Sequence, residues 1–470
     1  MDLPAITGDS DRTTEVSGSL PLAAGLDLTP VRAAFGVALH MHQPTVIGGG
    51  DYKTAPLISN LQRMLEHPGE GDNHNAPAFL RCYGRIADLV GALVARGRRP
   101  RVMLDYSGNL LWGLTQMGQT DVLSALRRTT EPALATSIEW LGTMWSHAVV
   151  PSTPVPDLKL HMMAWRHHFA ALFGMPALAR VRGFSAPEMH LPIHPDVCFA
   201  YVRALGECGY RWLMVQEHTV ENPDGTPLRQ PRLPHLLVAR SSEGETASIP
   251  VLVKTQGSDT KLVGQMQPFG EARSLGRQPF GGRTVPPYAV QIGDGENGGV
   301  MMNEFPSAYE QAFDHLDAGD VVGMNGTEYL EALLALGVEE RAYPPVQPVS
   351  QHRIWDEITG PGPGAAEEAI SRLRERDPSF NLDRASWTND RSWVDGYSDV
   401  MDPVLRLSAR FHERWDQAGD AARGEPGYRV SLLYLLLSQT SCFRYWGHGF
   451  WTETAQEICR RGLESLNVAA

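Results

Sequence analysis

The stretch Ala33-Ala34-Phe35-Gly36-Val37-Ala38-Leu39-His40-Met41-His42-Gln43-Pro44 decides how the rest of the chain is read. Its first seven residues are apolar and read as a buried strand. Side chains two apart on a strand share a face, so His40 and His42 aim at one spot. Pro44 cannot continue the ladder and turns the chain out at the strand's C-terminal end. In barrels built from βα units, that end holds the active site. An isolated His-x-His is most often two histidines with ordinary partners, and next a metal site. This strand end offers no Asp to complete a His/Asp ligand set.

Downstream, short apolar runs alternate with amphipathic stretches. Strands are expected at 101–108, 180–185, 210–215, 288–292 and 320–325, with helices at 110–114, 195–208 and through Leu336, the last capped by Asn325 or Thr327. This alternation predicts an α/β fold with a mainly parallel sheet and helices outside it. Residues 228–287 break the rhythm with Gly, Pro and Ser, and read as a loop-rich insertion over the sheet's C-terminal edge. The clearest linker is Thr359-Gly360-Pro361-Gly362-Pro363-Gly364. Beyond it helices are expected at 365–376, 400–415 and 429–438. The run Leu432-Leu433-Tyr434-Leu435-Leu436-Leu437 is apolar all round and belongs in a core. The expected organisation is a flexible leader (1–30), a catalytic region (31–358) and a helical C-terminal domain (365–470).

A formal net charge of -13 argues against a nucleic-acid or anionic-membrane partner, since either needs a basic face. Residues 1–30 lack a basic n-region and a continuous apolar h-region, so no secretory signal is expected. No apolar run of about twenty residues marks a membrane span. Five scattered cysteines without a Cys-x-x-Cys suit reduced thiols. The expectation is a cytoplasmic protein with no cofactor and no bound metal.

Two acidic sites follow apolar runs. Glu188 lies in Gly183-Phe184-Ser185-Ala186-Pro187-Glu188-Met189-His190-Leu191-Pro192, held between prolines in a segment too apolar for a solvated loop. By itself it reads equally as a capping carboxylate. Asp294 and Glu296 lie in Gly293-Asp294-Gly295-Glu296-Asn297-Gly298-Gly299, which also reads as a Gly-rich turn or part of a calcium loop. Two carboxylates from different strands at one barrel rim are what glycoside hydrolysis requires. His147, in Trp145-Ser146-His147, follows another apolar run and is a third candidate for the rim. Trp112, Trp145 and Trp165 have the chemistry to stack on sugars, although tryptophans so placed are more often core.

These segments resemble, in order, the five signatures of glycoside hydrolase family 57, retaining enzymes acting mainly on α-glucans. They are His40 to Pro44, Ser146-His147 with Pro151, Phe173-Gly174-Met175-Pro176 through Glu188, Asp294-Gly295-Glu296, and Ser441-Cys442-Phe443-Arg444-Tyr445-Trp446-Gly447. The resemblance implies a distorted (β/α)7-type barrel followed by a helical domain. It implies Glu188 as nucleophile and Asp294 as general acid/base, with an oligo- or polysaccharide as partner. His40, His42, Gln43 and His147 are then expected to bind the sugar, with Tyr445 and Trp446 in a stacking wall. Glu296 is expected near the substrate, helping by like-charge repulsion to keep Asp294 protonated. Phe184 or Ser185 stands where the family usually has Trp, and Asn297-Gly298-Gly299 replaces an aromatic-Gly pair, so the acceptor side departs from the pattern. The expected activity is of the α-amylase or 4-α-glucanotransferase type. A branching enzyme and a catalytically silent carbohydrate-binding protein are the alternatives, and a zinc-dependent deacetylase or mannosidase is the metal-based rival.

Overall fold

Residues Ala33–Met41 form strand β1, with every residue but His40 buried. A strand covered on both faces reads as a continuous apolar run, and this is the signature of a parallel sheet enclosed by helices. Six of the strands that follow continue the barrel, in chain order β2 (Val102–Tyr106), β3 (Ile138–Leu141), β4 (Gly183–Ser185), β5 (Trp212–Gln216), β6 (Thr246–Lys254) and β7 (Tyr288–Asp294), and the short strand Val321–Gly323 pairs in parallel with Ala33–Phe35 at the start of β1. The computed structural model describes residues 2–15, 27–254, 260–296, 299–385, 398–446 and 448–467.

The seven strands pair in parallel in the order in which the chain makes them. β1 lies between β2 and β7, with His40 opposite both Asp105 and Asp294. β2 pairs with β3, β4 with β5, and β5 with β6. β6 meets β7 at the single register pair Lys254–Val290. One bridge, Gly142 to Phe184, joins β3 to β4, supported by hydrogen bonds from Gly142 N–H to Gly183 C=O and from Ser185 N–H to Gly142 C=O, both 2.9 Å. That bridge closes a seven-stranded parallel barrel of the (β/α)7 type. Gly142 is required there because a Cβ would lie 2.2 Å from the Tyr210 ring.

Helices return the chain between strands. Ser107 caps Gly108–Gln116 by accepting from Leu110 N–H at 3.3 Å. Asn325, rather than Thr327, caps Gly326–Ala335 in a capping box with Glu328. The span 228–287, expected as a loop-rich insertion, supplies β6 itself. Its apolar run Val251-Leu252-Val253 is short, and the adjoining Pro250 reads against a central strand. Both fit because only Val251–Lys254 pairs inside the barrel, while 246–251 pairs antiparallel with His235–Arg240. Residues 2–15 include the helix Ser10–Glu15, which lies on α1 (Val155–Phe173), with the Arg166 guanidinium bonded to Thr13 C=O.

After the linker come Ala365–Arg376, then α2 (Ser398–Trp415), α3 (Pro426–Ser438) and α4 (Phe450–Asn467). α3 packs between its neighbours, and Leu433, Leu435, Leu436 and Leu437 are fully buried. The turn after α3 is sewn onto the loop that follows β3. Thr440 bridges Ala148, and Ser441 N–H donates to His147 C=O at 3.3 Å. No helix among the described residues is long and apolar enough to cross a membrane.

Candidate active site

All seven strands deliver polar groups to one end of the barrel. β1 brings His40 and His42, β2 brings Asp105 and Ser107, and the loop after β3 brings His147. Glu188 follows β4, Gln216 and Lys254 end β5 and β6, and Asp294 ends β7. His40, His42, Gln43, His147, Glu188, Asp294, Glu296 and Trp446 line one cavity of about 820 Å³. The side chain of Tyr445 lies outside the described residues.

The histidines are tied from behind. His40 Nδ1 is 3.0 Å from Asp105 Oδ2, His42 Nδ1 is 2.7 Å from Ser107 Oγ, and His147 Nδ1 is 2.7 Å from Ser441 Oγ. Holding Nδ1 leaves Nε2 as the working nitrogen of each ring. The His42 and His147 rings stack at 4.3 Å with 13° between planes, and His40 lies 4.7 Å from His147. Burial lowers the pKa of His40, but Asp105, Asp294 and Glu296 together outweigh it and raise the group to about 10. His42 and His147 go the other way, well below the usual range, through burial and then neighbouring histidines. The stack therefore holds one imidazolium beside two neutral rings. Among the described residues one trio of metal-ligating atoms lies within 4.8 Å, His194, Asp196 and Glu367; none of the three lines the cavity, and both Asp196 oxygens already accept from Ser242.

Glu188 occupies the left-handed region (φ 58°, ψ 16°) in the turn Pro187–Met189, and His147 does so at φ 60°. For a non-glycine residue this costs about 1–2 kcal/mol, a cost typical of functional positions. Glu188 Oε1 lies 3.9 Å from His147 Nδ1, and the side chain is 16% exposed. Asp294 is exposed toward the cavity mouth. Glu296 turns inward, where Oε1 accepts from His42 N–H at 3.1 Å and Oε2 is buried without a partner among the described residues. Gly295 permits this reversal, since a Cβ there would lie 2.2 Å from Met41 Cε.

Glu296 is itself displaced from the ordinary carboxylate range. Burial, and then the charge of Asp294, push Glu296 itself up to about 8. Glu296 therefore carries a proton at neutral pH. Stability follows with a definite sign: a carboxyl raised from 4.5 to about 8 stabilises the fold fully below 4.5, and that contribution is lost as pH rises through 8. His40 adds a loss in the same direction at higher pH, so Glu296→Gln, and not the wild-type curve alone, isolates the effect. Thermal unfolding followed from about pH 5 to 9 should show a shallower decline in Glu296→Gln than in wild type. Parallel curves would assign the proton elsewhere.

Of the aromatic candidates, Trp112, Trp145 and Trp165 are core residues, 0–2% exposed. Trp446 is 58% exposed at the rim, its ring 6.5 Å from that of Trp451, which also lines the cavity. Reading the sequence did not single out Asp105, Ser107, Gln216, Lys254 or Trp451. Asp105 carries a usable signal, a lone acid inside the apolar run Val102-Met103-Leu104, but its partner His40 is on another strand.

No protein-family model and no curated protein sequence matches the chain. Solved structures do. The chain is similar to the 4-α-glucanotransferase from Thermococcus litoralis (17% identity, TM-score 0.55), over 93% of this chain and 58% of that one. It is similar to an α-amylase from Thermotoga maritima (9%, 0.51), over 93% of each chain. It is also similar to a GH57-type branching enzyme from Pyrococcus horikoshii (13%, 0.50), over 92% of this chain and 88% of that one. The chain thus spans little more than half the length of the glucanotransferase and most of the other two. With its closed seven-stranded barrel and helical C-terminal region, it has the fold of glycoside hydrolase family 57 enzymes.

Proposed function

We propose that the protein is a retaining glycoside hydrolase or transglycosylase acting on α-glucans. The observation that carries the reading is the meeting of Glu188 and Asp294, from different strand ends, in a single cavity beside three oriented histidines. In this reading Glu188 attacks the anomeric carbon while Asp294 protonates the departing oxygen, giving a glycosyl-enzyme. Asp294 then takes a proton from incoming water or a sugar hydroxyl, which attacks the same carbon and releases Glu188. His40, as imidazolium, and His147 hold the reacting sugar and favour one orientation. The His42 Nε2 edge faces Cys442 Sγ at 3.5 Å, so its part is chiefly to support the stack. Gln43, whose Oε1 accepts from Asn60, lines the cavity, and Trp446 forms a wall on which a sugar face can rest. Glu296 keeps a neutral carboxyl behind Asp294.

The exposed Trp446 and the cavity's length along Asn60, Asn73 and Phe79 favour an oligosaccharide over a monosaccharide glycoside. The test is incubation with maltooligosaccharides and amylose, with products separated by chromatography. Shorter sugars identify hydrolysis, redistributed lengths identify transfer, and new α-1,6 linkages identify branching. No product from any α-glucan would overturn the reading.

A further inference from the structure

Two strand ends of the barrel have no part in the mechanism above. β5 ends on Gln216 and β6 on Lys254, and these residues are register partners on adjacent parallel strands. Register partners project side by side on the same face of a sheet. Both line the cavity, and both are 1% exposed. Buried polar atoms are nearly always satisfied, yet Gln216 Oε1 has no hydrogen-bond partner among the described residues. Burying an ammonium group is costly, and here burial pushes Lys254 down to about 8. Barrel enzymes place working residues at this end of their strands.

We propose that Lys254 and Gln216 form the floor of the substrate site, a donor–acceptor pair that binds adjacent hydroxyls of one neutral sugar ring. This rests on the glycosidase reading and names groups that would select the ring. Each hydroxyl both donates and accepts, so a diol can accept from the ammonium and donate to the amide oxygen. An anionic sugar fits less well. It would set its charge against Gln216 Oε1 in a cavity already holding Glu188, Asp294 and Asp72, where the Arg63 guanidinium is engaged by Glu70 at 2.7 Å.

The experiment compares wild type with Lys254→Met, Lys254→Arg and Gln216→Leu on an aryl α-maltoside and on its 2-, 3- and 6-deoxy analogues at the reacting ring. A maltoside bearing a uronic acid at that ring is run alongside, and Tm is measured for every variant. Lys254→Met and Gln216→Leu should each lower kcat/KM on the intact sugar about 10–100-fold, the size of a lost hydrogen bond to a charged or buried group. On the analogue lacking the contacted hydroxyl, the variants and wild type should converge. Tm checks that each variant keeps its fold, and Lys254→Arg, which keeps a charged donor, should recover part of the loss seen in Lys254→Met. Equal losses on every analogue, unchanged kcat/KM, a fall in Tm without a kinetic effect, or preference for the uronic acid would each overturn the proposal while leaving the glycosidase reading intact. Failure of the wild type to cleave any of these glycosides would overturn both.

Discussion

Glu188→Gln is expected to lower turnover of maltooligosaccharides by on the order of 10⁴-fold or more, with the fold intact. The amide is nearly the same size as the carboxylate, so packing in the turn Pro187–Met189 is preserved. What is removed is the group that forms the covalent bond. The left-handed backbone at Glu188 makes a further point. A residue held in that conformation is aimed by its backbone as much as by its neighbours, so Glu188→Asp, one methylene shorter, should recover little. Turnover within tenfold of wild type in Glu188→Gln would remove Glu188 from the chemistry.

Asp294→Asn is expected to lower turnover about 10²–10⁴-fold, the usual contribution of a positioned general acid/base. The loss should depend on the leaving group. A sugar alkoxide needs protonation to depart, whereas a nitrophenolate does not, so an activated aryl glycoside should form the glycosyl-enzyme at near wild-type rate and then stall at its breakdown. A burst of phenol followed by slow turnover is the expected trace. Equal losses on activated and natural substrates would fit a positioning role for Asp294, and the proton donor would then have to be sought at Glu296.

The two carboxylates and the histidines are legible in the sequence because each sits within a few residues of a strand end marked by Pro or Gly. Local patterning finds strand ends well, and a parallel barrel gathers them at one rim. Long-range features are less legible. Asp105 completes the His40 environment through pairing between strands 65 residues apart, which no local pattern reports. Lys254 ends a strand whose sequence, with Pro250 at its centre, reads as insertion until the antiparallel half is seen. The order of Asp294 and Glu296 in depth, which makes Glu296 the buried carboxyl, follows from a chain reversal at Gly295 and not from residue identity. The Gly142–Phe184 bridge that closes the ring joins β4, expected within 180–185, to the residue just past β3 about 40 positions earlier, a pairing that no local pattern reports.

The central claim is that Glu188 becomes covalently joined to the sugar. Incubation with a 5-fluoro-α-maltosyl fluoride, which slows breakdown of a glycosyl-enzyme more than its formation, followed by proteolysis and mass spectrometry, tests this directly. The account predicts a peptide containing Glu188 heavier by the fluoroglycosyl residue, absent in Glu188→Gln and lost on incubation with maltose as acceptor. A label on another residue, or turnover of the reagent with no labelled peptide and an inverted product, would contradict it.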